Sequence, residues 1–288
     1  MISIGLSLAA LAAAAGAPPL PDAAALRAIA APAGGTVGFS AVDLASGRTL
    51  ALHPDDAFPT QSVFKLPVAI EVLRQADAGK LDLDRKIALV AKDDRPGAAR
   101  VIVPPGTWTA RALLEAMIVQ SDNVACDKLL ALIGGPAAVD ARMRALGVRG
   151  VRIRFSERQM TAGDGDNTAT PAAMTLLLGK LARHELGLAP ATATVLDDLL
   201  LRVVTGRKRI KAALPPDTPV AHKTGTSETR DGKTAATNDI GLISLPDGRR
   251  IAVAIFVHDS PADEPTRELT IARLARAACD AFLPPAGR

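Results

Sequence analysis

The sequence predicts an α+β fold of two lobes, with one antiparallel sheet built from both chain ends and an all-helical lobe built from the middle. Three observations predict it. Apolar and polar residues alternate around tight-turn residues at each end of the chain. Apolar residues recur at helical spacing through the middle. The 288 residues, 48% hydrophobic and 22% charged, are enough to bury a substantial core. The expected α/β lobe covers about 21–60 and 215–288 and the helical lobe about 61–214, within a single domain spanning 21–288.

The elements follow in order. Thr36 to Leu44 and Thr49 to Leu52 flank Ala-Ser-Gly-Arg, which suggests a hairpin. Phe64 to Ala78 is a helical pattern ended by Gly79, and Ala110 to Val119 follows Thr109, an N-cap residue. Val124 to Ile133 stops at a Gly-Gly pair, and Pro136 to Leu146 opens on proline and ends before Gly147. Thr170-Pro171 opens a helix over Ala172 to His184, and another runs from Asp197 to Val204, closed near Gly206. A second hairpin joins Asp239–Leu245 to Ile251–His258 through Pro-Asp-Gly-Arg, and a last helix covers Glu264 to Phe282.

Composition narrows the function. With six Phe, one Trp and no Tyr, no tyrosine can act as acid, base or stacking platform. Met1 to Leu20 carry no charge, and the apolar run Ile2 to Ala15 leads into small residues and prolines. Residues 1–20 therefore read as a signal peptide cleaved around Ala15–Ala17, although no Lys or Arg precedes Arg27. The alternative is an N-terminal membrane anchor, for which the run is short. The expected protein is secreted, with no stable membrane association once the leader is cleaved. The net charge of +4 comes from scattered Lys and Arg without interleaved aromatics, so no nucleic-acid partner is expected. Cys126 and Cys279 each sit in an apolar helical pattern and read as buried free thiols rather than a disulfide. Four histidines at no ligand spacing imply neither metal nor cofactor, and a monomer is the default.

Three short motifs carry chemistry. Ser62-Val63-Phe64-Lys65 opens a helix, so Lys65 shares a face with Ser62 and can reach its hydroxyl, a poor nucleophile until a base takes its proton. Ser121-Asp122-Asn123 sets a hydroxyl beside an amide, able to relay a proton and to hold a substrate amide. In Lys223-Thr224-Gly225-Thr226, glycine lets a ligand or another backbone come close while Lys and Thr can bind a carboxylate. Singly, these are as readily a helix cap, a polar loop and a small-residue hairpin. Their order along the chain, from 62 through 121 to 223, makes the signal specific.

With S-x-x-K, S-D-N and K-T-G in this order, the chain resembles the class A serine β-lactamases, which share the motifs and the two-lobed fold with penicillin-binding proteins. The likeness extends to VFKLPVAIEVL after Ser62 and to TAATNDIGLISLP. It implies β-lactam hydrolysis through an acyl-enzyme on Ser62, antibiotic resistance and a periplasmic location. Lys65, or Glu157 through a water, would be the base for acylation, and Ser121 would be the proton relay. Glu157, in FSERQM, would activate water for deacylation, and the backbone N–H groups of Ser62 and Thr226 would hold the oxyanion. Asn123, Lys223, Thr224 and Thr226 would bind substrate. TGRKRIK, KTGTS and DGKTAATND place the likeness nearest the extended-spectrum branch, where Arg209 would contact the substrate carboxylate.

Three positions and one stretch depart from the family pattern. Thr161 stands where an asparagine helps hold the water. Phe155 and Asn167 stand where the omega loop has an Arg–Asp ion pair. Asp93 to Val103 contains no aromatic to line the cleft. Two other readings stay in view: a D,D-peptidase or penicillin-binding protein, which carries the same three motifs but against which Glu157 and the compact length argue, and a relative that binds β-lactams or a partner without hydrolysing them, which these departures keep open.

Overall fold

The computed structural model describes residues 20–90, 93 and 103–283. Residues 1–19 of the leader, and all of the Asp93–Val103 stretch except its two ends, lie outside the described residues.

The main antiparallel sheet runs in the order Thr49–Leu52, Thr36–Asp43, Arg250–Ser260, Lys233–Ser244, Val220–Thr226, with Thr229–Arg230 also pairing on Lys233–Ser244. Both expected hairpins are present, and the N-terminal strand pairs with the C-terminal one from Thr36↔His258 to Asp43↔Ile251. The second hairpin is longer than the sequence suggests. Its early residues Thr234, Thr237 and Asn238 are polar yet buried: Thr237 accepts from Arg267 Nε at 2.8 Å, and Asn238 Nδ2 donates to Pro59 O at 2.8 Å. Their polarity serves buried hydrogen bonds, which period-2 patterning does not register.

Side chains alternate across this sheet and make two cores. Val37, Phe39, Val253 and Ile255 pack on one face with Ala23–Ala30, a helix not anticipated from the sequence, and with Glu264–Phe282. Ala252, Ala254, Phe256 and Ile240 belong to the other core, which the helical half fills. At its centre lies Lys65–Asp77, buried from Lys65 to Leu73. Burial pushes the Glu71 carboxyl on that helix up, but hydrogen bonds from Arg74 and Gln75 outweigh it and hold the group below its ordinary value.

Other helices lie near their expected places: Asn123–Leu132, Gly135–Ala145 and Pro171–Ala182. The expected Asp197–Val204 helix instead spans Pro190–Leu201. Pro190 sets the first turn, whose exposed Ala191 and Thr194 give little apolar periodicity to read. The helical half also contains small ladders: Lys86–Leu89 with Gly106–Thr109, and Thr168–Ala169 with both Phe58–Pro59 and Val151–Arg152. No helix among the described residues is long and apolar enough to cross a membrane.

Cys126 and Cys279 are free and buried, one in each core. Burial raises both thiols, Cys279 to about 12 and Cys126 well above its ordinary value. An aromatic disulfide reagent is expected to titrate neither thiol in the native protein at neutral pH and both after denaturation; rapid native labelling would contradict the burial.

Candidate active site

The site forms where the edge strand Val220–Thr226 meets the start of the central helix. Gln61–Phe64 is a 3₁₀ turn running into Lys65–Asp77, with Gln61 at φ 43°. Gly225 passes so near this turn that a Cβ there would lie 2.3 Å from Thr60 O and 3.2 Å from Ser62 N. Only glycine allows that approach, which brings the backbone at Thr226 beside that of the candidate nucleophile. Ser121 arrives differently. The helix Ala110–Glu115 widens into a π turn over Ala116–Gln120, after which Ser121 takes a left-handed φ of 65°. Asp122 then accepts from Ala125 N at 2.7 Å, capping Asn123–Leu132, and from Val103 N at 3.0 Å.

Lys65 is the hub. Its Nζ lies 2.9 Å from Ser62 Oγ, 2.8 Å from Glu157 Oε1, 2.6 Å from Asn123 Oδ1 and 2.8 Å from Ser121 O, with Ser121 Oγ at 3.3 Å. An ammonium has three hydrogens, so these oxygens share them, and protons can be redistributed with little movement of heavy atoms. Lys65 and Lys223 are fully buried and Glu157 is 6% exposed, so their charges act in a poorly screened setting. Lys223 Nζ donates to Ser121 Oγ at 2.9 Å. Ser121 therefore accepts from two ammonium groups, which leaves its own hydrogen to be donated elsewhere. Ser62 Oγ to Glu157 Oε1 is 3.5 Å, so the direct contact is weak and Lys65 makes the closer link.

Glu157 opens the helix Glu157–Ala162, which is held from three sides. Ser156 and Gln159 form a reciprocal capping box, Asp127 accepts from Glu157 N at 2.8 Å and Arg158 N at 3.0 Å, and Thr161 Oγ1 donates to Glu157 O at 2.8 Å. The Thr161 hydroxyl is thus engaged by its own helix. Asn167 does the holding that the missing ion pair would do. Its Oδ1 accepts from Arg154 N at 2.7 Å and Phe155 N at 3.0 Å, its Nδ2 donates to Phe155 O at 2.9 Å, and its carbonyl accepts from Thr60 N at 2.8 Å. Asn167→Ala is expected to lower unfolding free energy by about 2–4 kcal/mol, because two backbone N–H groups lose their acceptor. Chemical denaturation checks it; a loss below about 1 kcal/mol would mean that water replaces the amide.

A cavity of about 920 Å³ opens over these groups, lined by Ser62, Ser121, Asn123, Glu157, Thr224 and Thr226 among others. Its far rim includes Arg230 and Lys233, from a tight hairpin turned at Asp231-Gly232. Arg209 is not in the cavity wall. It is 4% exposed, donating to Glu268 Oε1 at 3.1 Å, Gly225 O at 3.2 Å, Asn238 O at 2.9 Å and Thr226 Oγ1 at 2.8 Å. The residues named from the motifs all converge, with Arg209 one layer behind. Asp127, Thr205, Asn238 and Glu268 were not singled out in the sequence. Each meets a partner distant in the chain, Asp127 from the middle of the helix Asn123–Leu132, and none carried a local signal.

Comparison with known proteins agrees with this geometry. A family profile described as the β-lactamase enzyme family matches residues 22–282. The extended-spectrum β-lactamase PER-1 of Pseudomonas aeruginosa is 37% identical over 261 residues, covering 84% of this chain and 81% of the relative. The β-lactamase VEB-1 of the same species is 35% identical over 243 residues, covering 82% and 81%. A β-lactamase structure from Chitinophaga pinensis superposes with a TM-score of 0.86 at 40% identity, covering 90% of this chain and 98% of that one. An ancestral class A β-lactamase gives a TM-score of 0.79 at 34% identity, covering 89% and 98%. The chain belongs to the β-lactamase enzyme family, as a class A serine β-lactamase related to the extended-spectrum enzymes.

Proposed function

We propose that this enzyme opens the β-lactam amide by acylating Ser62 and frees the product with a water activated by Glu157. The supporting observation is the short chain of contacts from Ser62 Oγ to Lys65 Nζ at 2.9 Å and on to Glu157 Oε1 at 2.8 Å. A proton leaving Ser62 passes to Lys65 as Lys65 hands one to Glu157, so the pair acts as a single base. Ser62 Oγ then bonds to the lactam carbonyl carbon while the backbone N–H groups of Ser62 and Thr226 take the oxyanion. Ser121 gives its hydrogen to the departing lactam nitrogen and is reprotonated by Lys65, which takes back the proton held by Glu157 and leaves that carboxylate free to activate water. Asn123 holds the substrate's side-chain amide, and Lys223, Thr224 and Thr226 receive its carboxylate. Arg209 acts on that carboxylate by orienting the Thr226 hydroxyl, which it contacts at 2.8 Å.

The enzyme works as a secreted, periplasmic monomer on a small-molecule substrate and conveys resistance to its host; nucleic acid has no part in it. The D,D-peptidase reading is disfavoured because Glu157 is held beside Ser62 by a helix capped at several points. Purified protein with a chromogenic cephalosporin tests the proposal. Steady turnover at many product molecules per enzyme is expected. One covalent adduct per molecule and no further product would instead mean a peptidase or a β-lactam-binding relative.

A further inference from the structure

Behind the substrate wall, on the sheet face turned away from Ser62, lies a buried polar group that the reaction does not use. Asp239 is fully buried in the strand paired with Val220–Thr226, in register with Thr224. Its Oδ1 lies 2.9 Å from Nδ1 of His222, the residue before Lys223, and its Oδ2 accepts from Ile210 N at 3.3 Å, the residue after Arg209. The core on this face also contains Ile210, Val220 and Ile243. Burial holds the amine of Lys211, the next residue of the turn, below its ordinary value, while the Asp239 charge pulls the other way. A buried carboxylate between two donors is a costly way to stabilise a core that aliphatic side chains could fill.

What the contact achieves is geometric. His222 is part of the strand that carries Lys223, Thr224 and Thr226; Ile210 begins the turn that carries Arg209. Taking the carboxylate-binding role of this wall as read above, we propose that Asp239 is a positioning residue that locks the Arg209 turn to the Lys223 strand. The lock sets where the Arg209 guanidinium meets the Thr226 hydroxyl. Two neighbours fit the same purpose. Thr205 and Thr224 join hydroxyls at 2.6 Å, and Gly206, at φ 66°, lies so close that a Cβ would be 2.4 Å from Thr224 Cγ2. Both ties act on one face of the sheet: Thr205 and Gly206 press the loop before Arg209 onto Thr224, and Asp239, in register with Thr224, ties the turn after it.

The test compares a cephalosporin with its C4 methyl ester, which lacks the carboxylate, and reads KM and kcat separately. Arg209→Ala is the reference and is expected to raise KM for the acid about tenfold with little change for the ester. Asp239→Ala is expected to reproduce this preference for the acid being lost, at about fivefold, with kcat at saturation nearly unchanged. His222→Asn places its amide nitrogen where Nδ1 sits and should keep near-native KM, whereas His222→Gln places it at the Nε2 position and should not. If Asp239→Ala fails to fold, the His222 pair decides. A loss of melting temperature with the acid-over-ester preference intact, or identical KM values for His222→Asn and His222→Gln, would overturn the inference. An unchanged preference in Arg209→Ala would overturn the carboxylate reading itself, and the inference with it, before Asp239 is considered.

Discussion

Ser62→Ala is expected to lower kcat/KM for a chromogenic cephalosporin by on the order of 10⁵–10⁶-fold, and to leave no covalent adduct in the mass spectrum. The size follows from the geometry. Lys65 Nζ approaches Ser62 Oγ at 2.9 Å, closer than it comes to Ser121 Oγ at 3.3 Å. Ser121 Oγ, the nearest alternative, accepts from both Lys65 and Lys223, and its proposed part is to donate a proton rather than to attack. The cavity and its two buried lysines survive the substitution, so substrate should still bind, with any change in affinity within about tenfold. An adduct on the variant at a rate near that of the wild type would move the nucleophile elsewhere.

Glu157→Gln is expected to separate the two half-reactions. Deacylation should slow by about 10²–10⁴-fold, the range for losing a positioned general base, so that one acyl group per molecule accumulates within seconds of mixing. The amide retains the shape of the side chain, and the capping box and the Asp127 contacts that hold its backbone do not involve the altered group. Acylation should slow as well, because Lys65 loses the carboxylate to which it hands a proton at 2.8 Å. Intact-mass spectra taken over time distinguish the steps. Unimpaired turnover in this variant would remove Glu157 from deacylation. The Thr161 departure bears on the same step: its hydroxyl donates to Glu157 O at 2.8 Å and so is spent within its own helix.

Much of the site was legible because class-specific chemistry comes in short motifs. Ser62 and Lys65 share one helical turn, so their contact follows from local periodicity alone. Ser121 with Asn123, and Lys223 with Thr224 and Thr226, are likewise local sets, and their order along the chain identified the family. The apparent loss of the omega-loop ion pair shows the limit. In sequence, Asn167 is only a missing aspartate; in the structure its amide serves the backbone on both sides of Phe155. A neutral side chain that both donates and accepts can satisfy backbone groups that a carboxylate–guanidinium pair would hold by charge, but nothing in its neighbours along the chain announces this.

Sequence by itself determined the fold class, both hairpins, the last helix and the residues of the three motifs. Each depends on patterns spanning a few residues: alternation, helical recurrence, turn and capping chemistry. Tertiary structure alone decided what depends on partners far apart in the chain. It placed Arg209 behind the wall, against Thr226 and Glu268, rather than in the cavity. It buried the polar start of Lys233–Ser244, replaced the end of an α-helix by the π turn that delivers Ser121, and joined His222 and Ile210 through Asp239. The physical reason is common to all of these. A buried polar group must find a partner wherever the fold brings one, and that requirement is met in space, where local sequence leaves no trace of it.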